Sequence, residues 1–167
     1  MSLPEGERAV KILRPGIEHK LMVELSAMKR AARTIEGISA ESQRLKPVAF
    51  TETIAAAMMR ETDLRLEAGG ADEMHEISHK SGHFVIPSVD WDRTGRRVLT
   101  IDWIDGISLT DPKALDRPGI DRKKLANDIT QGFLTHAIEY GVFHADMHEG
   151  NLIITPEGKV ALVDFGI

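Results

Sequence analysis

The stretch His144-Ala145-Asp146-Met147-His148-Glu149-Gly150-Asn151, followed thirteen residues after Asn151 by Asp164-Phe165-Gly166, decides how this chain is read. Asp146 and Asn151 stand five positions apart in a polar, irregular loop. Leu152-Ile153-Ile154 and Val160-Ala161-Leu162-Val163 flank the turn Pro156-Glu157-Gly158 and read as a hairpin leading to Asp164. A loop and a hairpin of short strands hold Asp146, Asn151 and Asp164 close in space. Mg²⁺ is a hard cation that takes oxygen ligands and keeps waters and phosphate oxygens around it. Asn151 and Asp164 supply such oxygens, which leaves Asp146 free to orient a hydroxyl or a water.

This order and spacing resembles that of protein kinases, where His-x-Asp with an Asn five after the Asp precedes Asp-Phe-Gly. The triplet alone is weak; the combination is specific. A kinase-like reading makes further demands. Lys11, in Ala9-Val10-Lys11-Ile12, fits the strand Lys that holds the α- and β-phosphates. Glu61 and Glu67 are the candidates for its helical carboxylate partner. Leu99 to Gly106 fits a strand and hinge, with the Asp102 carbonyl and the Ile104 amide as adenine contacts. No glycine-rich phosphate loop precedes Lys11 in this sequence.

Leu3 to Arg8 reads as a turn and Ala9 to Leu13 as a strand. Apolar residues at Ile17, Leu21, Leu25, Met28, Ala32 and Ile35 recur in steps of three and four, which marks a helix ended by Gly37. A second helical stretch spans about Thr51 to His79. Gly69-Gly70 predicts a break or kink in it, since each Gly costs about 1 kcal/mol relative to Ala. Val85 to Trp91 and Arg97 to Ile104 read as a hairpin around Asp92-Arg93-Thr94-Gly95. Thr110 to Gly119, with Arg117-Pro118-Gly119, is loop-like. A third helix runs from about Asp121 to Tyr140, with Leu125, Ile129, Phe133 and Ala137 on one face and Gly141 as its stop.

Composition narrows the function classes. Twenty-one Lys and Arg against 26 Asp and Glu give a net charge of −5, so no basic excess exists to neutralise nucleic-acid phosphates. The chain has no Cys, which removes disulfide scaffolds, thiolate metal sites and Cys nucleophiles. Its longest apolar run, Ile54 to Met59, is too short for a transmembrane segment.

The chain is similar to the UbiB/ADCK atypical kinase-like family over nearly its whole length. The resemblance is carried by Ala9 to Ile17 with its Lys11…Arg14-Pro15-Gly16 run, Glu61 to Ala68, Val98 to Gly106, His144 to Asn151 and Asp164-Phe165-Gly166. It implies Lys11 as the phosphate Lys, Glu67 as its helical partner and Asp146 as the catalytic-loop Asp. It also implies Glu61 and Asp63 as the family's Glu-x-Asp motif at the nucleotide site, and Asn151 and Asp164 as metal ligands. The cofactors it implies are ATP or ADP and Mg²⁺. The implied role is an atypical kinase or ATPase supporting ubiquinone (coenzyme Q) biosynthesis. Its implied partners are the nucleotide, a lipid or quinone precursor and other ubiquinone-synthesis proteins. A cytoplasmic location, with the full-length protein at the cytoplasmic face of the inner membrane, follows from the same resemblance. Two departures stand out. Met147 and Glu149 occupy positions where the family's loop carries prolines, and Gly69-Gly70 stand where it carries Ala-Asn.

The expected fold is α+β, a two-lobed protein-kinase-like core truncated at both ends. Residues 1–105 form the small lobe with a helical insertion, and residues 106–167 form the start of the large lobe. Truncation predicts incomplete cover for Phe133, Leu152 and Ile153. Two other function classes compete: a small-molecule phosphotransferase of the aminoglycoside-kinase type, and a non-catalytic scaffold binding nucleotide or lipid enzymes. The Glu-x-Asp motif and the Arg-Pro-Gly run count against the former. Bland readings also compete residue by residue. Glu61, Asp63 and Glu67 suit a solvated helix face, and a straight helix separates Glu61 and Glu67 by roughly 600°, which favours Glu67 as the Lys partner. His144 reads as a strut that holds the Asp loop. His75, His79 and His83 lie four apart, and Gly82 argues against one helix through all three, so they read as surface residues.

Overall fold

The computed structural model describes residues 6–116 and 120–166. The start of the opening turn at Leu3 to Glu5, and Arg117-Pro118-Gly119, lie outside the described residues.

Strand β1 (Arg8–Ile12) pairs antiparallel with β2 (Val98–Asp102), in register from Arg8 opposite Asp102 to Ile12 opposite Val98. Side chains alternate along a strand. Leu13, packed against the small core of Leu64, Ala68 and Leu99, therefore puts Lys11 on the same inward face. Val10 and Ile12 take the outer face and are exposed.

Helix α1 (Ile17–Glu36) leaves Gly16, whose φ of 77° requires the left-handed region that glycine tolerates. A short α2 (Ala40–Arg44) leads to α3 (Pro47–Arg60), which opens on Pro47 and packs along α1. Helix α4 (Leu64–Ser81) follows. The single helical stretch expected from Thr51 to His79 is thus two helices, and the break falls at Glu61-Thr62-Asp63. Gly69-Gly70 sit inside an unbroken helix. Asp63 explains the break: its carboxylate accepts the Arg65 amide at 3.2 Å and caps α4. Thr62 Oγ1, turned back on the Met59 carbonyl at 2.7 Å, closes α3. Buried Leu64, Ala68, Ala71, Met74 and Ile77 then hold α4 across its glycines. An apolar face of that size outweighs about 2 kcal/mol of glycine cost.

The expected hairpin after α4 is only half formed. Val89 bridges Ile101 and Gly95 bridges Val98, while Trp91–Arg93 is a 3-10 turn. Val85 turns away and joins the other sheet, donating to Val160 at 2.9 Å and accepting from Leu162 at 3.0 Å. That sheet runs β3 (Ile107–Ser108), β4 (Leu152–Ile154), β5 (Val160–Leu162), all antiparallel. Helix α5 (Arg122–Thr135) is capped by Asp121, whose carboxylate accepts the Lys123 and Lys124 amides. The helix expected to reach Tyr140 does so, but its last turn, His136–Tyr140, widens to a π-helical turn.

The larger core joins α4, α5 and this sheet through Met74, Phe84, Ile86, Leu125, Ile154, Leu162 and Phe165. Leu152, expected to lack cover, is 6% exposed, because β4 is the central strand between β3 and β5. Leu134, Ile138 and Phe143, around the end of α5, are among the exposed apolar residues. Among the described residues no helix is long and apolar enough to cross a membrane.

Two outcomes follow. A Cβ at Gly106 would stand 2.5 Å from the Ile154 carbonyl oxygen and against Ile153 Cγ2. Backbone cannot yield as a side-chain tip does, so Gly106→Ala should cost about 1–3 kcal/mol in urea denaturation. His136 is 1% exposed, with Nε2 on Ser81 Oγ at 2.9 Å. Burial, helped by His83, holds its pKa below the ordinary value of 6.5. The folded state therefore prefers the neutral ring. That stability is complete above pH 6.5 and is lost as pH falls toward the depressed value. His136→Gln should flatten the fall in urea midpoint between pH 7.5 and 5.5; an unchanged pH profile would remove His136 from the explanation.

Candidate active site

Lys11 lies at the centre of the site. Its Nζ donates to Glu67 Oε1 at 2.8 Å, to Glu67 Oε2 at 2.9 Å and to Asp164 Oδ1 at 2.7 Å. The three residues come from β1, the first turn of α4 and the loop after β5. Glu67 is 8% exposed, whereas the side chains of Lys11 and Asp164 are about half exposed, at 48% and 53%. Burial raises the Glu67 carboxyl above its usual value, with Lys11 opposing that rise. Burial also weighs on Asp164, but its bond to Lys11 prevails and holds it below the usual range. Burial lowers Lys11 as well; its bonds to Asp164 and Glu67 outweigh that and raise it, so it stays a cation.

Asp164 has a φ of 63°, a left-handed conformation tolerated by Asp more readily than by bulkier residues. The turn swings its carboxylate back toward Lys11. His144 braces this segment from beneath, as expected of a strut. It is buried, its Nε2 donates to the Val163 carbonyl at 3.2 Å, and its Nδ1 accepts the Asp146 amide at 3.3 Å. Its ring packs on Phe165. Asn151 is also buried, and its Nδ2 donates to the Asp146 carbonyl at 2.9 Å. Fixing the amide nitrogen this way leaves Oδ1 as the oxygen that can face an ion. Asp146 is 71% exposed on its side chain, with His148 Nε2 at 3.7 Å from Oδ2. His148 Nδ1 accepts the Gly150 amide at 3.0 Å, so the loop keeps its form without the two prolines.

A cavity of about 450 Å³ is lined by Lys11, Glu61, Ala145, Asp146, Asp164 and Gly166. Five expected residues thus meet: Lys11, Glu67 and Asp164 by direct bonds, Asp146 and Glu61 around the same space. Asn151 stands one hydrogen bond behind Asp146. Asp63 does not enter this cavity; it caps α4 and pairs with Arg65 through bonds of 2.9 and 2.6 Å, which hold its carboxyl at about 2. Asp102 and Ile104 lie in another cavity, about 480 Å³, with Glu7, Pro87 and Trp103. The Asp102 side chain is engaged by Arg8 and Ser88, and its amide donates to the Ser88 carbonyl at 3.0 Å.

Gly166 was not singled out by sequence. Its Cβ position lies 3.7 Å from both Asp164 Oδ1 and Glu61 Oε2, and it also lines a neighbouring 610 Å³ cavity with Arg60, Leu64 and Leu66. Its place in the triplet was the available signal. Glu61 lies in the turn between α3 and α4 and Glu67 on α4, which supersedes the helical-rotation argument; Glu67 is nonetheless the Lys11 partner.

The ABC1 atypical kinase-like domain matches residues 2–167. Among curated proteins, the chain is 34% identical to the "Probable protein kinase UbiB" of Marinobacter nauticus, over 99% of this chain and 31% of that protein. It is 31% identical to "Protein ACTIVITY OF BC1 COMPLEX KINASE 3, chloroplastic" of Arabidopsis thaliana, over 95% of this chain and 22% of that protein. The chain therefore spans about a third or less of the length of these relatives. A solved structure, "The complex structure of Rv3197-erythromycin from Mycobacterium tuberculosis", superposes with a TM-score of 0.76 at 24% identity, covering 96% of this chain and 40% of that one. That likeness shows the fold.

Lys11→Met leaves the Glu67 carboxylate buried without its cation. The cost should fall between the exposed and buried ion-pair limits, about 1–3 kcal/mol. Adding Glu67→Gln should restore part of it, a coupling measurable in a urea-denaturation double-mutant cycle. Strict additivity of the two changes would show that the pair does not act together.

Proposed function

The chain belongs to the ABC1 atypical kinase-like family, and from that premise we propose that its site binds ATP or ADP with Mg²⁺ and activates the terminal phosphate. The observation that carries this reading is the bonding of Lys11 to both Glu67 and Asp164, with Lys11, Asp164 and Asp146 lining one cavity. Lys11, kept cationic by two carboxylates, is the donor for phosphate oxygens. The Asp164 carboxylate lines the cavity and Asn151 stands one hydrogen bond behind Asp146; both offer hard oxygens of the kind Mg²⁺ takes. Bound there, the ion neutralises charge on the phosphates. Asp146, exposed to the cavity, orients the attacking hydroxyl or water and accepts its proton. The Asp102 carbonyl and Ile104 amide serve the adenine. Glu61 borders the phosphate cavity and the 610 Å³ cavity, where it can position the nucleotide's polar end. Asp63 supports that contribution by fixing the start of α4.

Similarity to proteins named UbiB supports a place in ubiquinone biosynthesis, with a lipid or quinone precursor and other ubiquinone-synthesis proteins as partners. The same reading places the full-length protein in the cytoplasm, at the inner membrane face.

Calorimetric titration with Mg-ADP tests the site. Lys11→Ala and Asp164→Asn should each weaken binding by at least about tenfold, the loss of one charge-assisted contact. Asp146→Asn should retain binding and lose ATP turnover by about 10²-fold or more. Tight nucleotide binding with no turnover in the unsubstituted protein, even with lipid present, would favour the scaffold class.

A further inference from the structure

Helix α4 carries a second set of donor atoms that the kinase-like reading leaves unused. His75-Glu76-Ile77-Ser78-His79 is a His-Glu-x-x-His run within an unbroken helix, a spacing that puts two imidazoles on one helix face. On α4 the two rings do meet, with centroids 4.7 Å apart and planes at 70°. His75 Nδ1 lies 2.7 Å from the Ile86 carbonyl oxygen. A carbonyl only accepts, so Nδ1 donates to it, and in the neutral ring Nε2 is the nitrogen with the lone pair. A ligating histidine is oriented in this way, with its remote N–H bound to a backbone carbonyl and its other nitrogen free. Ile86 is itself 5% exposed and part of the main core, so this ring hangs from a fixed point. His79, one turn on, is exposed and open to solvent.

We propose that His75 and His79 form a site for a divalent transition ion of the Zn²⁺, Ni²⁺ or Cu²⁺ kind, held by two imidazole nitrogens with water in the remaining positions. Imidazole suits these ions, whereas the oxygen pair Asn151 and Asp164 suits Mg²⁺, so the two sites sort different metals. Among the described residues no group of three or more His, Cys, Asp or Glu side chains is placed to hold an ion. The pair is therefore a binding clamp, without the third protein ligand of a zinc hydrolase. Gly82, at φ 74°, turns the chain out of the helix before His83, which instead packs beside Gly132. An ion on the pair ties the last two turns of α4 to the core through Ile86, and so stabilises the helix that carries Glu67.

The test is titration of the tag-free full chain with NiCl₂ and CuCl₂, without nucleotide, read by calorimetry and thermal melting. One ion per chain should bind, Cu²⁺ tighter than Ni²⁺, with a rise in melting temperature. His79→Gln, which alters only an exposed ring, should weaken binding by at least about tenfold and abolish that rise. His75→Gln should do the same, and Asp164→Asn should leave the affinity unchanged. Cu²⁺ should broaden amide NMR signals around His75–His79 and Ile86. Full affinity in His79→Gln, no melting shift, or broadening centred on another histidine would overturn the assignment.

Discussion

The amino group of Lys11 is held by two carboxylates from distant parts of the chain, and the arrangement of the chain depends on that contact. Glu67 is buried, so its charge needs a cation close by; without one, burial would drive it toward protonation. Lys11 meets that need from the inner face of β1. Asp164 completes the set from a left-handed turn after β5. Glu67 and Asp164 stand 56 and 153 positions from Lys11, so the contact registers the small sheet, the long helix and the catalytic hairpin against one another. The two carboxyl shifts run in opposite directions because the acids differ in burial and interact with each other as well as with Lys11. The deeper acid suffers more from desolvation, and the shallower one gains more from the shared cation than it loses.

Helix α4 transmits this registration. Its first half packs Leu64 and Ala68 against Leu99, and its second half packs Ala71 and Met74 against Phe84, Leu152 and Phe165. One rigid element thus belongs to both cores. Gly70 fits this role, since its Cβ position is 3.6 Å from the Phe165 carbonyl, where the helix passes the Asp-Phe-Gly segment. The imidazole pair at the other end of α4 and the carboxylate at its start are therefore mechanically connected through a single helix.

Much of the site was legible because its chemistry is tied to spacing. Asp146, Asn151 and Asp164 are bound to a short loop and a hairpin whose turn, Pro156-Glu157-Gly158, is written in local sequence. Lys11 was legible as a cation in an apolar strand, and Glu67 as a carboxylate on a helix. The helix boundary was not legible in the same way. Glycine propensity pointed to Gly69-Gly70, but the cap at Asp63 and the buried face of α4 decided the matter, and both need tertiary contacts to be seen. Val85 leaving the expected hairpin for β5 is a long-range pairing with no local signal. The cover over Leu152 depends on β3, a two-residue strand too short to read from periodicity. Asp63 shows the converse case: the residue was legible, but its bond to Arg65 and its capping of α4 came only with the fold.

On this reading Lys11 and Asp164, with Asn151 behind them, serve one phosphate-and-metal site. A crystal structure of the chain with Mg²⁺ and a non-hydrolysable ATP analogue tests it most directly. Phosphate oxygens on Lys11, a metal ligated by Asn151 and Asp164, and an intact Lys11–Glu67 pair are the expected result. Nucleotide bound elsewhere, or a metal that bypasses both Asn151 and Asp164, would contradict it.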